Sequence, residues 1–265
     1  MVTLLQQSTA ALYLLAGALG AAGLALSRPA LARAAVWALA VGCVAHGLVF
    51  SLLHTLDPPP PLNDLPSALS FMAWVGTASF LLLAWRTRLL GLVVLVAPMS
   101  FLGVFAAWLT AGTGTGGGDP IGAGSLPHAH VLLASAGLGL LGLAGLAGLL
   151  YLVEHRRLKR KRPLGGASGL PSLEALDRAG ALAVAVGFPL LSLGVLTGAL
   201  WQQAVLGVPF GGSAHETLCL VAWGVYGVLA ALRFGANQPA RRCAWSSLAG
   251  FALLGLVVLG AEWLT

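Results

Sequence analysis

The sequence predicts an all-α integral membrane protein with eight transmembrane helices, and three observations carry that expectation. First, 58% of the 265 residues are hydrophobic and only 8% are charged, where a soluble domain carries about 25% charged residues. So few charges cannot dress a water-facing surface, whereas lipid solvates the outside of a membrane helix bundle. Second, the apolar residues fall into runs of about 20, the length that crosses the hydrocarbon core as a helix. Third, the chain holds 36 glycines, a residue common in closely packed membrane helices. The expected organisation is a single polytopic membrane domain over 1–265.

The elements follow in order. The first run, 3–26, is too long for the apolar part of a cleavable signal peptide and has no basic residue before it, so it is expected to remain as a span. The second covers 34–56. The third and fourth, 66–85 and 89–110, are separated only by Arg86, Thr87 and Arg88. One helix across both would exceed the bilayer, so a break is expected there. The fifth run, 128–153, passes into "EHRRLKRKR", which carries the helix into the basic segment 154–178. The sixth, seventh and eighth runs are 179–203, 214–233 and 243–264. Between spans, "PPPP" at 58–61 is a stiff, extended spacer. "TGTGGGDP" at 113–120 is a flexible loop, and without a following Lys-Ser/Thr it is no phosphate loop.

Charge placement gives the orientation. All 14 Lys and Arg lie in or beside four connections: those after the first, third, fifth and seventh spans. The connections 57–65, 111–127 and 204–213 contain none. Positive loops stay in the cytoplasm, so both termini are expected outside, on the periplasmic side. The net charge of +6 therefore reports topology, and the expected partner is the lipid bilayer, with no nucleic acid. The basic segment 154–178 reads as a stop-transfer cluster that also suits anionic headgroups, or as a docking site for a cytoplasmic protein. Cys43, Cys219 and Cys243 sit in apolar runs with no CxxC spacing, so neither a disulfide framework nor thiol exchange is expected.

With the topology set, five of the six histidines fall in the outer half; only His155 is cytoplasmic. His54 lies near the outer end of the second span, and His46 about 12 Å deeper at 1.5 Å per residue. His128 and His130 open the fifth span and His215 opens the seventh. Neutral imidazole is the usual haem-iron ligand. His130 and His215 could form such a pair if their helices are neighbours. His128 and His130 point about 200° apart on a helix, so they cannot share one iron. His46 is an intramembrane ionisable residue, a class that is usually functional. From spacing alone, each of these histidines is more often a hydrogen-bonded structural residue than a ligand. No site for a metal other than haem iron is expected, because clustered Cys are missing and His128 and His130 point apart on their helix. Glu216 is expected to favour the start of its helix.

Four ordered stretches carry a resemblance: "PPLNDLPSALSFMAW" (60–74), "HAHVLLASAGLGLLGLAGLAGLLYLVEHRRLKRKR" (128–162), "LPSLEALDRAGALAVAVGFPLLSLGVLTGALW" (170–201) and "HETLCLVAWGVYGVLAALR" (215–233). They resemble the cytochrome c assembly proteins of the CcsA, ResC and CcmC type, with HemX and YpjD as relatives. The Leu-Pro-Ser-Leu-Glu-x-Leu-Asp-Arg block is the most specific landmark. The resemblance implies haem b as cofactor, an outer-face site, and a multi-pass protein of the bacterial inner (cytoplasmic) membrane. It implies His130 as an outer haem ligand, and His46 or His54 as a helical histidine early in the chain. The family's "W-D-P-K-E-T-W" reads "GSAHETL" here, a further family histidine is replaced by Ala231, and the chain closes on "GAEWLT" without the outer histidine that follows the last helix. The missing Trp-rich signature argues against haem lyase activity. "AHET" is similar to the "H-H-K-T" of the YpjD-like branch, which makes His215 the replacement ligand.

The resulting expectation is a haem-handling protein in cytochrome c maturation or haem homeostasis, whose partners are cytochrome c maturation proteins. The alternatives are a HemX-like, non-catalytic regulator that binds a cytoplasmic haem-biosynthesis enzyme through 154–178, and a helical subunit without haem.

Overall fold

A computed structural model describes residues 2–55, 65–86, 89–110, 125–160, 171–236 and 238–261. Helices are the only regular structure among them: α1 (Val2–Ala25), α2 (Pro29–His54), α3 (Leu65–Arg86), α4 (Val93–Thr110), α5 (Ser125–Lys159), α6 (Leu173–Leu206), α7 (Ala214–Phe234) and α8 (Ala240–Ala261). Among the described residues, the seven helices α1 to α7 are long and apolar enough to cross a membrane. The eighth run is helical as well, as α8, but does not belong to that set. Apolar side chains cover much of the helix surface: Trp37 is 73% exposed and Trp85 82%, with Val44, Leu48, Leu196 and Val228 also exposed. In water such a surface would aggregate; in lipid it is the solvated face.

Several helices are longer than their apolar runs, and local chemistry accounts for it. α2 starts at Pro29 rather than 34 because α1 closes in a tight left-handed turn. Ser27 takes φ 52°, the Arg28 amide donates to the Gly23 carbonyl at 2.9 Å, and Pro29 opens the next helix. α5 runs on to Lys159, since Glu, Arg and Lys are good helix formers and Arg156, Arg157 and Lys159 complement its C-terminal dipole. Its 35 residues span about 52 Å at 1.5 Å per residue, well beyond the hydrocarbon core. α6 begins at Leu173, six residues before its expected start, because the Ser172 hydroxyl caps it by accepting from the Ala175 amide at 3.2 Å. The break expected between the third and fourth spans is present: α3 ends at Arg86, and a 3₁₀ turn at Leu90–Leu92 leads into α4. The Pro-rich spacer at 58–61 and the glycine loop at 113–120 lie outside the described residues.

The helices form two units, one of residues 1–119 and 153–176, the other of 120–152 and 177–265. In the first, α1 packs on α2 and α4, and α3 packs on α4. Close approach depends on missing side chains: a Cβ on Gly42 would sit 2.8 Å from the Tyr13 ring. In the second unit, α6 and α8 each touch both α5 and α7. A Cβ on Gly194 would lie 2.8 Å from the Ala134 backbone, and one on Gly148 would lie 2.7 Å from the Ala244 carbonyl oxygen. These are backbone-to-backbone approaches, the small-residue packing that holds membrane helices where no hydrophobic force acts between them.

Candidate functional site

His130 is held one turn into α5 and faces α6. Its Nδ1 lies 2.7 Å from the carbonyl oxygen of Gly194. A carbonyl only accepts, so Nδ1 is the donor, and in the neutral ring Nε2 keeps its lone pair. Nε2 has no hydrogen-bond partner among the described residues. The contact is possible because α6 carries no side chain there. A Cβ on Gly198 would fall 2.7 Å from Nδ1 of His130. Thr197 Oγ1 donates to the same Gly194 carbonyl at 2.9 Å. The Trp201 ring lies beside the imidazole, centroid to centroid 6.4 Å. The result is a half-buried imidazole with one nitrogen fixed by main chain and the other without a hydrogen-bond partner among the described residues. A metal-ligating histidine is oriented in this way by its outer hydrogen bond.

The start of α7 is bolted to the same end of α6. Ser213 is the N-cap of α7, its Oγ accepting from the Glu216 amide at 3.2 Å. Glu216 reaches back to accept from the Gly212 amide at 2.9 Å and also accepts from the Gln202 side chain. Gly212 has φ 77°, a backbone that L side chains avoid. Glu216 therefore works at the helix start, as expected of it, but as half of a reciprocal cap with Ser213. Gln202 follows Trp201, so the starts of α5 and α7 both meet the last turns of α6. His215 is the second residue of α7; its side chain, like those of His54 and His128, lies outside the described residues.

His46 is in different surroundings. It is 1% exposed, with Nδ1 3.1 Å from the Tyr13 hydroxyl of α1 and Nε2 2.9 Å from Ser70 Oγ of α3. Phe50 stacks on the ring at 5.0 Å. Both nitrogens are occupied, one as donor and one as acceptor, by neutral hydroxyls. Next to it, Trp74 donates to the Cys43 carbonyl at 3.0 Å.

Among the described residues no three His, Cys, Asp or Glu side chains converge on a common metal position. Cys43, Cys219 and Cys243 are not joined in disulfides. Sequence reading missed Tyr13 and Ser70 altogether, because their link to His46 is made only by the tertiary fold. It also passed over two signals that were present: the Gly194-x-x-x-Gly198 spacing and the Ser213-x-x-Glu216 capping pattern.

The family model described as Cytochrome C assembly protein matches residues 62–265. The chain belongs to the cytochrome c assembly protein family. It is 24% identical over 222 residues to the cytochrome c biogenesis protein CcsA of Guillardia theta, covering 77% of this chain and 74% of that protein. Over 89 residues it is 31% identical to the CcsA of Thermosynechococcus vestitus (strain NIES-2133 / IAM M-273 / BP-1), covering 34% of this chain and 28% of that protein. The corresponding figures for the CcsA of Synechococcus sp. (strain RCC307) are 29% identity over 89 residues, 34% and 29%. The chain thus matches less than a third of the length of these last two relatives. The family assignment and the membrane-length helices make this a multi-pass membrane protein of cytochrome c biogenesis. The most specific family block now has a structural meaning. Within 170–178, Ser172 caps α6, and Asp177 is paired with Arg233 at the end of α7.

Proposed function

We propose that the protein binds haem b at the outer membrane face in cytochrome c maturation, with Nε2 of His130 on the iron and His215 as second ligand. The observation that carries this reading is the hydrogen bond from His130 Nδ1 to the Gly194 carbonyl. It engages Nδ1 as a ligand's outer hydrogen bond does and leaves Nε2 without a partner among the described residues. The rest of the donor set fits a flat apolar group. Gly194 and Gly198 keep side chains away from the imidazole, and Trp201 offers an aromatic face. Haem would supply an iron that takes axial imidazoles. The chain's own residues orient His130 and secure the start of α7, on which His215 stands.

Alternate positive loops favour eight crossings, with α8 as the eighth, both termini periplasmic, and the bacterial inner membrane as the location. "GSAHETL" in place of a Trp-rich platform favours haem binding without lyase catalysis. The deciding experiment is the visible spectrum of detergent-purified protein, before and after haem addition. A Soret band lost in both His130→Ala and His215→Ala supports the proposal; a colourless protein that takes up no added haem ends it.

One observation favours a second reading, a HemX-like regulator. α5 carries Arg156, Arg157 and Lys159 on a continuous helix past the apolar run, a rigid basic surface for a cytoplasmic haem-biosynthesis enzyme. Neutralising Lys159, Arg160, Lys161 and Arg162 would then release a co-purifying soluble enzyme while leaving the haem spectrum intact.

A further inference from the structure

In the second unit, where α7 ends and α8 begins, there is a cavity of about 370 Å³. Val184, Leu229, Leu232 and Trp245 form apolar walls, and Arg233 and Arg242 are in the lining as well. The guanidinium of Arg233 is fixed by Nη2, which donates to the Asp177 carbonyl and carboxylate. Nη1 of Arg242 donates to Gln238 Oε1 at 3.1 Å. Each arginine keeps its other guanidinium nitrogens without a hydrogen-bond partner among the described residues. Asp177 neutralises only one of the two, so the cavity has a net positive charge. Trp245 is 45% exposed, as aromatics are at headgroup level.

We propose that this cavity binds an anionic phospholipid, its phosphate on Arg242 and Arg233 and an acyl chain along Val184, Leu229 and Leu232. A soluble anion would need the arginines alone. Here they line an apolar cleft at the end of α7, a helix long and apolar enough to cross a bilayer. Guanidinium forks suit phosphate oxygens, and basic pockets between membrane helices accept acidic headgroups. The size lies at the lower end of the range of small-molecule sites, enough for a headgroup and the first chain segment. The site depends on neither haem nor His130.

Native mass spectrometry of the detergent-purified full chain tests it, with phosphatidylglycerol and phosphatidylcholine of the same chain length. Wild type is expected to retain phosphatidylglycerol about tenfold better. Arg242→Gln should lower that retention about tenfold. Arg241→Gln removes the same charge from a residue outside the lining and should change it less than about twofold. Ser246→Phe fills the cavity without altering charge and should also lower retention. Equal loss in Arg241→Gln and Arg242→Gln would overturn the proposal, as would equal retention of both lipids. Displacement by millimolar inorganic phosphate, or by haem, would overturn it too, since the site would then belong to another ligand.

Discussion

His46 and His130 are the same side chain in two different settings. His46 is gripped at both nitrogens by hydroxyls from α1 and α3, under a stacked Phe50, at 1% exposure. His130 is gripped at one nitrogen by a main-chain carbonyl and is open at the other. What separates the two imidazoles is thus the number of partners as well as burial. A buried polar group with all its partners ties helices together. A group with one partner withheld is oriented for something else.

The contrast breaks most visibly in the spectrum. His130→Ala is expected to abolish haem binding, a loss of at least about a hundredfold in affinity, since axial ligation is removed outright. Its thermal unfolding should move little, because only a half-buried hydrogen bond goes. His46→Ala should do the reverse. The Soret band stays, while the Tyr13 and Ser70 hydroxyls lose their partner in a buried site, at a cost of about 1–3 kcal/mol measured by denaturant unfolding in detergent. If His46→Ala bleaches the protein and leaves stability alone, the two roles are exchanged.

Gly198→Ala sharpens the comparison more gently. The new Cβ would come 2.7 Å from His130 Nδ1, tilting the ring and weakening haem affinity by about tenfold, in the range expected for a disturbed second shell. Gly224→Ala on α7 meets nothing within 4 Å and serves as the silent control. The smallest effect is expected from Ser213→Ala. It removes the α7 cap and costs about 1 kcal/mol, with a slight fall in haem affinity if His215 is a ligand and none if it is not.

Much of this architecture was legible in the sequence. Runs of apolar residues gave the helices, because lipid demands length and apolarity and little else. Ends were less legible: apolarity marks where lipid stops, while Ser172, Pro29 and the basic turn of α5 set where hydrogen bonding stops. His130 was singled out from its depth and from the family pattern. Its orientation was not, since the Gly194 carbonyl is 64 residues away and depends on how α5 and α6 pack. The same holds for His46, whose partners lie 33 and 24 residues away. Histidine in a membrane run announces that something is there; only the neighbours say what.

The acceptor for His130 belongs to the backbone, and this has a consequence for how the imidazole can be disturbed. No side-chain replacement at Gly194 deletes the oxygen. The ring is instead hostage to the spacing between α5 and α6, which rests on contacts such as Gly194 against Ala134. Those glycines act as a gauge block, setting a clearance that the imidazole then inherits. A change some turns away, at Gly137 or Gly187 along the same seam, would detune the histidine without ever touching it.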